Sequence, residues 1–314
     1  KSFLLFNLFK NYLLNNGINE DKIITLSLDD VDNEQYLDPI KLNEYLKSQI
    51  KNKTDQYYIF LDEVQLAISK DEYKNKGMIR LYGVLNGLLR LDNVDVYITG
   101  SNSKFLSSDI LTEFRGRGDE VRVYPLSFKE FMSIYPHDKY MGYQEYSLYG
   151  GLPYLLSIKN EEDKIKYLNN LFKTTYLKDI IERHNLKGDL VIDTLVDILA
   201  SDISSLTNPN KLANTFSSYS IKTNANTISQ YIDYLIDAFI ISKAKRYDIK
   251  GKKYIGSPFK YYFEDIGLRN ARLNFRQNEP THIMENIIYN ELIMRGFNVD
   301  VGVVSKYSKN NKGH

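Results

Sequence analysis

Asp62 and Glu63 close the stretch Tyr57-Tyr58-Ile59-Phe60-Leu61-Asp62-Glu63-Val64-Gln65, in which five apolar residues run straight into two carboxylates. Adjacent acids at such a point can divide a task, one helping to hold a divalent cation and the other polarising a water molecule. That is the chemistry of phosphoryl transfer to water. The plainer reading is a strand that ends in an acidic turn, so the surrounding residues must decide. Lys1 and Ser2 precede a strongly apolar helical pattern, Phe3 to Leu14, and an ammonium and a hydroxyl at a helix start suit phosphate oxygens and Mg²⁺. Thr99 and Asn102 follow a second apolar run, where small polar side chains can sense a terminal phosphate or simply cap a helix. Arg115 and Arg117 alternate with glycines in Phe114-Arg115-Gly116-Arg117-Gly118 and could neutralise transition-state charge, or be a solvated basic turn.

These residues need elements to position them. A short continuous apolar run suits a strand covered on both faces, as in a parallel sheet with helices on either side. Lys22 to Leu28, Tyr57 to Asp62 and Val94 to Thr99 are such runs, and helical patterns over Ile40 to Ile50 and Met78 to Leu91 separate them. Strand and helix alternating at these lengths predict a doubly wound α/β sheet, whose ligands bind at the carboxyl ends of the strands. Glu120 to Tyr124 alternates like a further strand, and Ser127 with Glu130 forms a capping box ahead of the next helix.

Bulk composition narrows the classes. With 314 residues, 43% hydrophobic and 26% charged, the chain reads as two or three globular domains. A net charge of +1 makes no global demand for nucleic acid or an anionic membrane. The absence of cysteine excludes disulfides, thiol catalysis and cysteine-based zinc sites, and fits a cytoplasmic protein. His137, His184, His282 and His314 show no metal-ligand spacing. No apolar run approaches the roughly 20 residues that span a bilayer. Both ends read as cut, since the sequence starts without Met inside a helical pattern and stops in the polar run Ser305 to His314.

Beyond the α/β part, Gly150-Gly151-Leu152-Pro153 marks a turn between helices, and Glu161 to His184 is a long periodic helix. Two shorter helices, Asn210 to Ser217 and Thr227 to Phe239, precede strand-like segments Ile240 to Tyr247 and Pro258 to Phe263 around the basic turn Lys250-Gly251-Lys252-Lys253. Helices followed by a basic two-stranded wing predict a winged helix-turn-helix. Its second short helix would offer Asn226, Thr227 and Gln230 to base edges, with Lys250, Lys252 and Lys253 on phosphates. The same fold can also serve protein contacts. Glu279 to Gly296 reads as a helix and Phe297 to Val304 as a strand, with Glu285 read as a structural residue.

The series Lys1-Ser2 at a helix start, YYIFLDEVQ, VYITGSNS, the FRGRGD loop and VYPLSFKEF resembles the bacterial and archaeal AAA-family ATPases with a C-terminal domain of unknown function. Tyr149-Gly150-Gly151-Leu152-Pro153, Tyr176-Leu177-Lys178-Asp179-Ile180 and Tyr261-Tyr262-Phe263-Glu264-Asp265-Ile266-Gly267-Leu268 match their later motifs in order. The resemblance implies an α/β P-loop NTPase core of AAA type over 1–136, with its glycine loop ahead of Lys1. It further implies a helical lid over 137–186, a winged-helix-like segment over 187–272 and the start of a restriction-endonuclease-like domain over 273–314. It implies ATP and Mg²⁺ as cofactors, with Lys1, Ser2 and Asp62 binding, Ser2 and Asp62 on the metal, and Glu63, Asn102, Arg115 and Arg117 catalytic. The expected activity is Mg²⁺-dependent ATP hydrolysis that drives a switch, with DNA or a protein as partner and a homo-oligomer among the assemblies. The alternative is a non-catalytic DNA- or protein-binding winged-helix module with a degenerate nucleotide site.

Overall fold

The structure, a computed structural model, describes residues 1–69, 71–72, 79–100, 114, 117–184, 186 and 190–303. The chain forms two compact units, Lys1–Val123 and Tyr124–His314.

In the first unit a wide π-type turn, Leu4–Phe9, runs into helix α1, Lys10–Asn15. Strand β1, Ile23–Ser27, helix α2, Pro39–Gln49, strand β2, Tyr57–Asp62, helix α3, Arg80–Leu88, and strand β3, Val94–Ile98, follow. The three strands are parallel in the order β1-β2-β3, as the alternation of strand and helix predicts. The apolar run of β2 explains why it is central. Tyr57, Ile59 and Leu61 join a core with Leu42 and Leu46 of α2 and Leu81, Leu85 and Leu88 of α3. Phe60, on the other face, packs against Leu5 and Leu13, and its ring stacks on Phe9 at 5.5 Å. Successive strand residues point to opposite faces, so an unbroken apolar run is what a strand covered on both sides requires. Helix α2 starts where it does because the Asp38 carboxylate accepts the Ile40 N–H at 2.8 Å and Pro39 occupies the first turn.

Glu120 to Tyr124 is not a strand. Val121 is 85% and Val123 41% exposed, so the apolar residues of the alternation are not covered, and among the described residues the segment joins no sheet. Periodicity alone does not make a strand without a partner edge.

The second unit opens with helix α4, Phe128–Ile134, whose Ser127–Glu130 capping box forms as expected. Helix α5, Lys139–Tyr149, helix α6, Glu161–Asn170, a π stretch, Leu171–Leu177, helix α7, Lys178–His184, and helix α8, Leu190–Ser201, follow. Next come strand β4, Leu206–Thr207, helices α9, Pro209–Ser218, and α10, Ala225–Asp237, and a hairpin of β5, Ile241–Asp248, and β6, Lys253–Phe263. Helix α11, Ile266–Arg272, helix α12, Pro280–Met294, and strand β7, Val301–Val303, complete the unit. Its sheet has the order β4-β6-β5-β7, with β7 parallel to β5.

The second compact unit begins at Tyr124, where Leu126 N–H donates to the Gly151 carbonyl at 2.7 Å and the Phe131 ring meets Tyr146 at 5.3 Å. One apolar core joins Phe131, Leu168, Leu195, Phe216, Ile232, Phe263 and Ile287, so the segments read as lid, wing and nuclease-like start share an interior. The strand after α12 adds to the wing sheet beside β5.

Motifs far apart in sequence meet at Asp265. Its carboxylate caps α11 through the Leu268 N–H at 3.1 Å and accepts the Gly151 N–H at 2.8 Å. Burial pushes this acid up to about 6, against the opposing pull of those backbone donors. Gly150 has φ +82, and a Cβ there would meet the Asp265 carboxylate at 2.2 Å. Gly267 is held closer still, with a Cβ meeting the Tyr149 carbonyl oxygen at 1.9 Å. Asn286 clamps the backbone of Phe263, accepting its N–H at 2.7 Å and donating to its carbonyl at 2.8 Å. Glu285 takes the Lys260 ammonium and the Tyr262 hydroxyl, each at 2.7 Å, a structural engagement on the outer side of the same helix.

Candidate active site

Parallel strands in sequence order bring their C-terminal tips to one edge, and the candidate residues gather there. Asp62 is 4% exposed at the tip of β2, in register with Ser27 at the tip of β1. Its Oδ1 accepts the Glu63 N–H at 3.1 Å and the hydroxyl of Thr99, which continues from β3. Backbone bonds lock this corner: Thr99 N–H donates to the Leu61 carbonyl at 2.9 Å, and Val64 N–H to the Thr99 carbonyl at 3.1 Å.

Glu63 leaves the strand in the left-handed region, φ 50 and ψ 42, unusual for a residue with a side chain. Its carboxylate accepts the side-chain amide of Gln65. Lys1 donates its ammonium to the Gly100 carbonyl at 3.1 Å, beyond β3 on the same edge. Partial desolvation lowers the pKa of that ammonium below the usual lysine value, and Arg122 adds to the effect, while the charges of Glu63 and Asp62 oppose it. Ser2 opens the first helix, and a cleft of about 340 Å³ lies among Ser2, Phe3, Phe6, Asn7, Ser27 and Asp62.

The structure thus brings Lys1, Ser2, Asp62 and Glu63 together. Arg117 is bonded elsewhere, to the Asn86 side chain of α3 at 2.7 Å and to the Phe114 carbonyl at 3.2 Å. Asn102 and Arg115 lie outside the described residues. Ser27, Asn7, Gln65 and Arg122 join the site without having been singled out as site residues in the sequence. Ser27 was findable, since adjacent parallel strands place the last residue of one beside the last residue of the next.

The donor set fits a nucleotide with Mg²⁺. One buried carboxylate and hydroxyls on one cleft are hard oxygen donors, and Mg²⁺ takes one or two carboxylates plus phosphate oxygens and waters, not an all-protein cage. Among the described residues no group of three or more His, Cys, Asp or Glu could form such a cage.

In the second unit Asn226 is exposed, the Thr227 N–H bonds to the Asn224 cap at 2.9 Å, and the Gln230 amide reaches the Tyr234 hydroxyl at 2.6 Å. Lys250, Lys252 and Lys253 are exposed around the hairpin turn, which the Asp248 carboxylate stabilises by accepting the Lys250 and Gly251 N–H groups.

Residues 1–132 match an AAA domain family, and residues 141–279 match a domain of unknown function (DUF8612). An uncharacterized protein of Haemophilus influenzae is 32% identical over 307 residues, covering 96% of this chain and 74% of that protein. The uncharacterized protein MJ1544 of Methanocaldococcus jannaschii is 27% identical over 315 residues, covering 95% of this chain and 65% of its own length. The Walker-type ATPase PABY2304 of Pyrococcus abyssi superposes with a TM-score of 0.51 over 84% of this chain and 87% of that one, at 12% identity, a likeness of fold. Among the described residues no helix is long and apolar enough to cross a membrane. With the carboxylate pair at a strand tip, the lysine and serine at the facing helix start and these matches, the chain belongs to the AAA-family ATPases that carry a C-terminal domain of unknown function.

Proposed function

We propose that the chain hydrolyses ATP with Mg²⁺ at the Lys1, Ser2, Asp62 and Glu63 edge and uses the cycle as a conformational switch in the cytoplasm. The observation that carries this is a buried Asp62, held by Thr99, on one cleft with the Ser2 hydroxyl, with Glu63 next to it. Lys1 would bind phosphate oxygens, and Ser2 and Asp62 would hold Mg²⁺, which when bound offsets phosphate charge. Glu63 would orient the attacking water and take its proton. Asn102 would contact the terminal phosphate, and Arg115 or Arg117 would approach from this chain or a second copy. The switch reading follows from the general behaviour of nucleotide-driven proteins, in which loss of the terminal phosphate releases segments that it had ordered.

The test uses the protein carrying the glycine loop that the resemblance places ahead of Lys1. Calorimetric titration with ATP and steady-state phosphate release, each with and without Mg²⁺, are expected to show binding and Mg²⁺-dependent turnover. Absence of binding would reduce the α/β unit to a scaffold.

For the second unit we propose a winged-helix segment that contacts DNA. The order of α8, β4, α9, α10 and the β5–β6 hairpin supports it, together with three exposed lysines at the hairpin turn that form no ion pair among the described residues. Joint replacement of Lys250, Lys252 and Lys253 by Ala is expected to weaken duplex binding uniformly across sequences. It should also flatten the log–log salt dependence by about two to three, measured by fluorescence anisotropy. An unchanged slope would leave these lysines solvated and the segment to protein contacts.

A further inference from the structure

Gln65 is unusual among the residues at the strand tips because its side chain turns back on the acid two residues before it. The chain leaves β2 through left-handed Glu63 and enters a single tight turn, Val64–Ala67. That turn is firmly seated. Val64 is 0% and Ala67 2% exposed in the core, Leu66 N–H donates to the Glu63 carbonyl at 3.0 Å, and Ile68 N–H to the Gln65 carbonyl at 3.1 Å. From this seat the Gln65 Nε2 amide donates to Glu63 Oε2. Both side chains are half-buried, so the bond is partly shielded from competing water.

We infer that Gln65 is the positioning residue for Glu63, holding one carboxylate oxygen so that the other faces the attacking water. The inference rests on Glu63 acting as general base in the reaction proposed above. There the water oxygen bonds to the terminal phosphorus as the bond from that phosphorus to the bridging oxygen of the departing nucleoside diphosphate breaks, and the proton from water passes to Glu63. A general base works only within a narrow geometry, and misplacement by about 1 Å can cost roughly a hundredfold. A glutamate on a left-handed residue at a strand tip has three rotatable bonds and two equivalent oxygens. An amide from a rigid turn removes that freedom, and being neutral it adds no charge that would compete for the carboxylate. A lysine or arginine at 65 would do the opposite. The purely structural alternative is that Gln65 only stabilises its own turn, and it makes different predictions.

The experiment uses the protein with its glycine loop and compares Gln65→Met, Gln65→Glu and Glu63→Gln with the Gln65→Met/Glu63→Gln double variant. Methionine keeps the length and removes the donor, whereas glutamate places a like charge beside Glu63. Gln65→Met is expected to lower single-turnover ATP hydrolysis by about ten- to a hundredfold. Affinity for Mg²⁺-ATP should stay within about twofold and the thermal midpoint should not move. Gln65→Glu should lose at least as much. In the Glu63→Gln background, Gln65→Met should cost nothing more, since its effect passes through that carboxylate. Independently of turnover, the side-chain amide resonances of Gln65 in the nucleotide-free protein should move when Glu63 becomes Gln.

Unchanged or raised hydrolysis in Gln65→Met overturns the proposal, as does a further loss in the Glu63→Gln background. A loss that tracks a lower thermal midpoint and weaker nucleotide binding assigns Gln65 to the turn alone. If Glu63→Gln itself hydrolyses ATP normally, it is the general-base reading that fails, and the proposal falls with it for a separately identifiable reason.

Discussion

Glu63→Gln is expected to lower ATP turnover by about 10²- to 10³-fold while leaving Mg²⁺-ATP affinity within about threefold of the parent protein. Gln keeps the shape of Glu63 and can still hydrogen-bond a water, but has no basic oxygen to take its proton. In the proposed site nucleotide binding would draw on other groups, namely the Lys1 ammonium, the Ser2 hydroxyl and the Asp62 carboxylate, so it should survive. Asp62→Ala provides the contrast. Asp62 is buried, accepts from Thr99 and the Glu63 N–H, and lines the cleft with Ser2. Its removal takes away a proposed Mg²⁺ ligand together with the anchor of the Thr99 corner, and turnover and Mg²⁺-dependent binding should fall together. Nucleotide titration beside phosphate release on all three proteins checks both expectations. No turnover in parent and Glu63→Gln alike would favour the alternative of a binding module whose α/β unit no longer hydrolyses nucleotide, whereas equal, measurable turnover would remove Glu63 from the role of general base.

Arg269→Ala is expected to destabilise the 124–314 unit by about 3–5 kcal/mol, since it empties the space of a fully buried side chain and leaves the Ala200 carbonyl and other acceptors around it unpaired. Arg269 is 0% exposed. Its guanidinium donates to the Ala200 carbonyl at 2.8 Å, Asn270 Oδ1 at 3.1 Å, the Gln277 carbonyl at 2.9 Å and Glu279 at 2.8 Å. Desolvation lowers its pKa and the Glu279 charge opposes that shift. A planar fork can serve acceptors on several sides at once, whereas a single ammonium cannot, so Arg269→Lys should recover only a small part of the loss. Urea denaturation followed by a tyrosine signal of this unit should show a lower midpoint with an unchanged slope. A midpoint shift equivalent to less than about 1 kcal/mol would mean that the freed acceptors are rescued by water, and that the cluster is less dry than its exposure implies.

Much of the first unit was legible in residue order. The run through Tyr57 to Leu61 demands cover on both faces, and it receives it from α1 on one side and α2 with α3 on the other. Strands alternating with helices then force a parallel sheet, and a parallel sheet places Asp62, Ser27 and Thr99 on one edge. The Ser127–Glu130 capping box is equally local, because its donors and acceptors lie within one turn. Only the resemblance to the AAA-family ATPases matches Lys1 and Ser2 to Asp62, since nothing in their spacing says that the first helix starts beside the second strand.

What the residues determined by themselves is therefore whatever depends on period and near neighbours: strand or helix, caps, and the carboxyl edge as the place for chemistry. Tertiary structure alone decided the rest. It made no strand of Glu120 to Tyr124 among the described residues, bonded Arg117 to Asn86, and set β7 against the wing strand β5. It brought Gly150 and Gly151 to Asp265, and aimed Gln65 at Glu63. Each of these turns on the angle at which a chain leaves one element and the edge it then finds. Such angles arise from a few backbone rotations and from packing partners elsewhere in the chain, 31 residues away for Arg117 and Asn86 and 114 for Gly151 and Asp265, which no local pattern encodes.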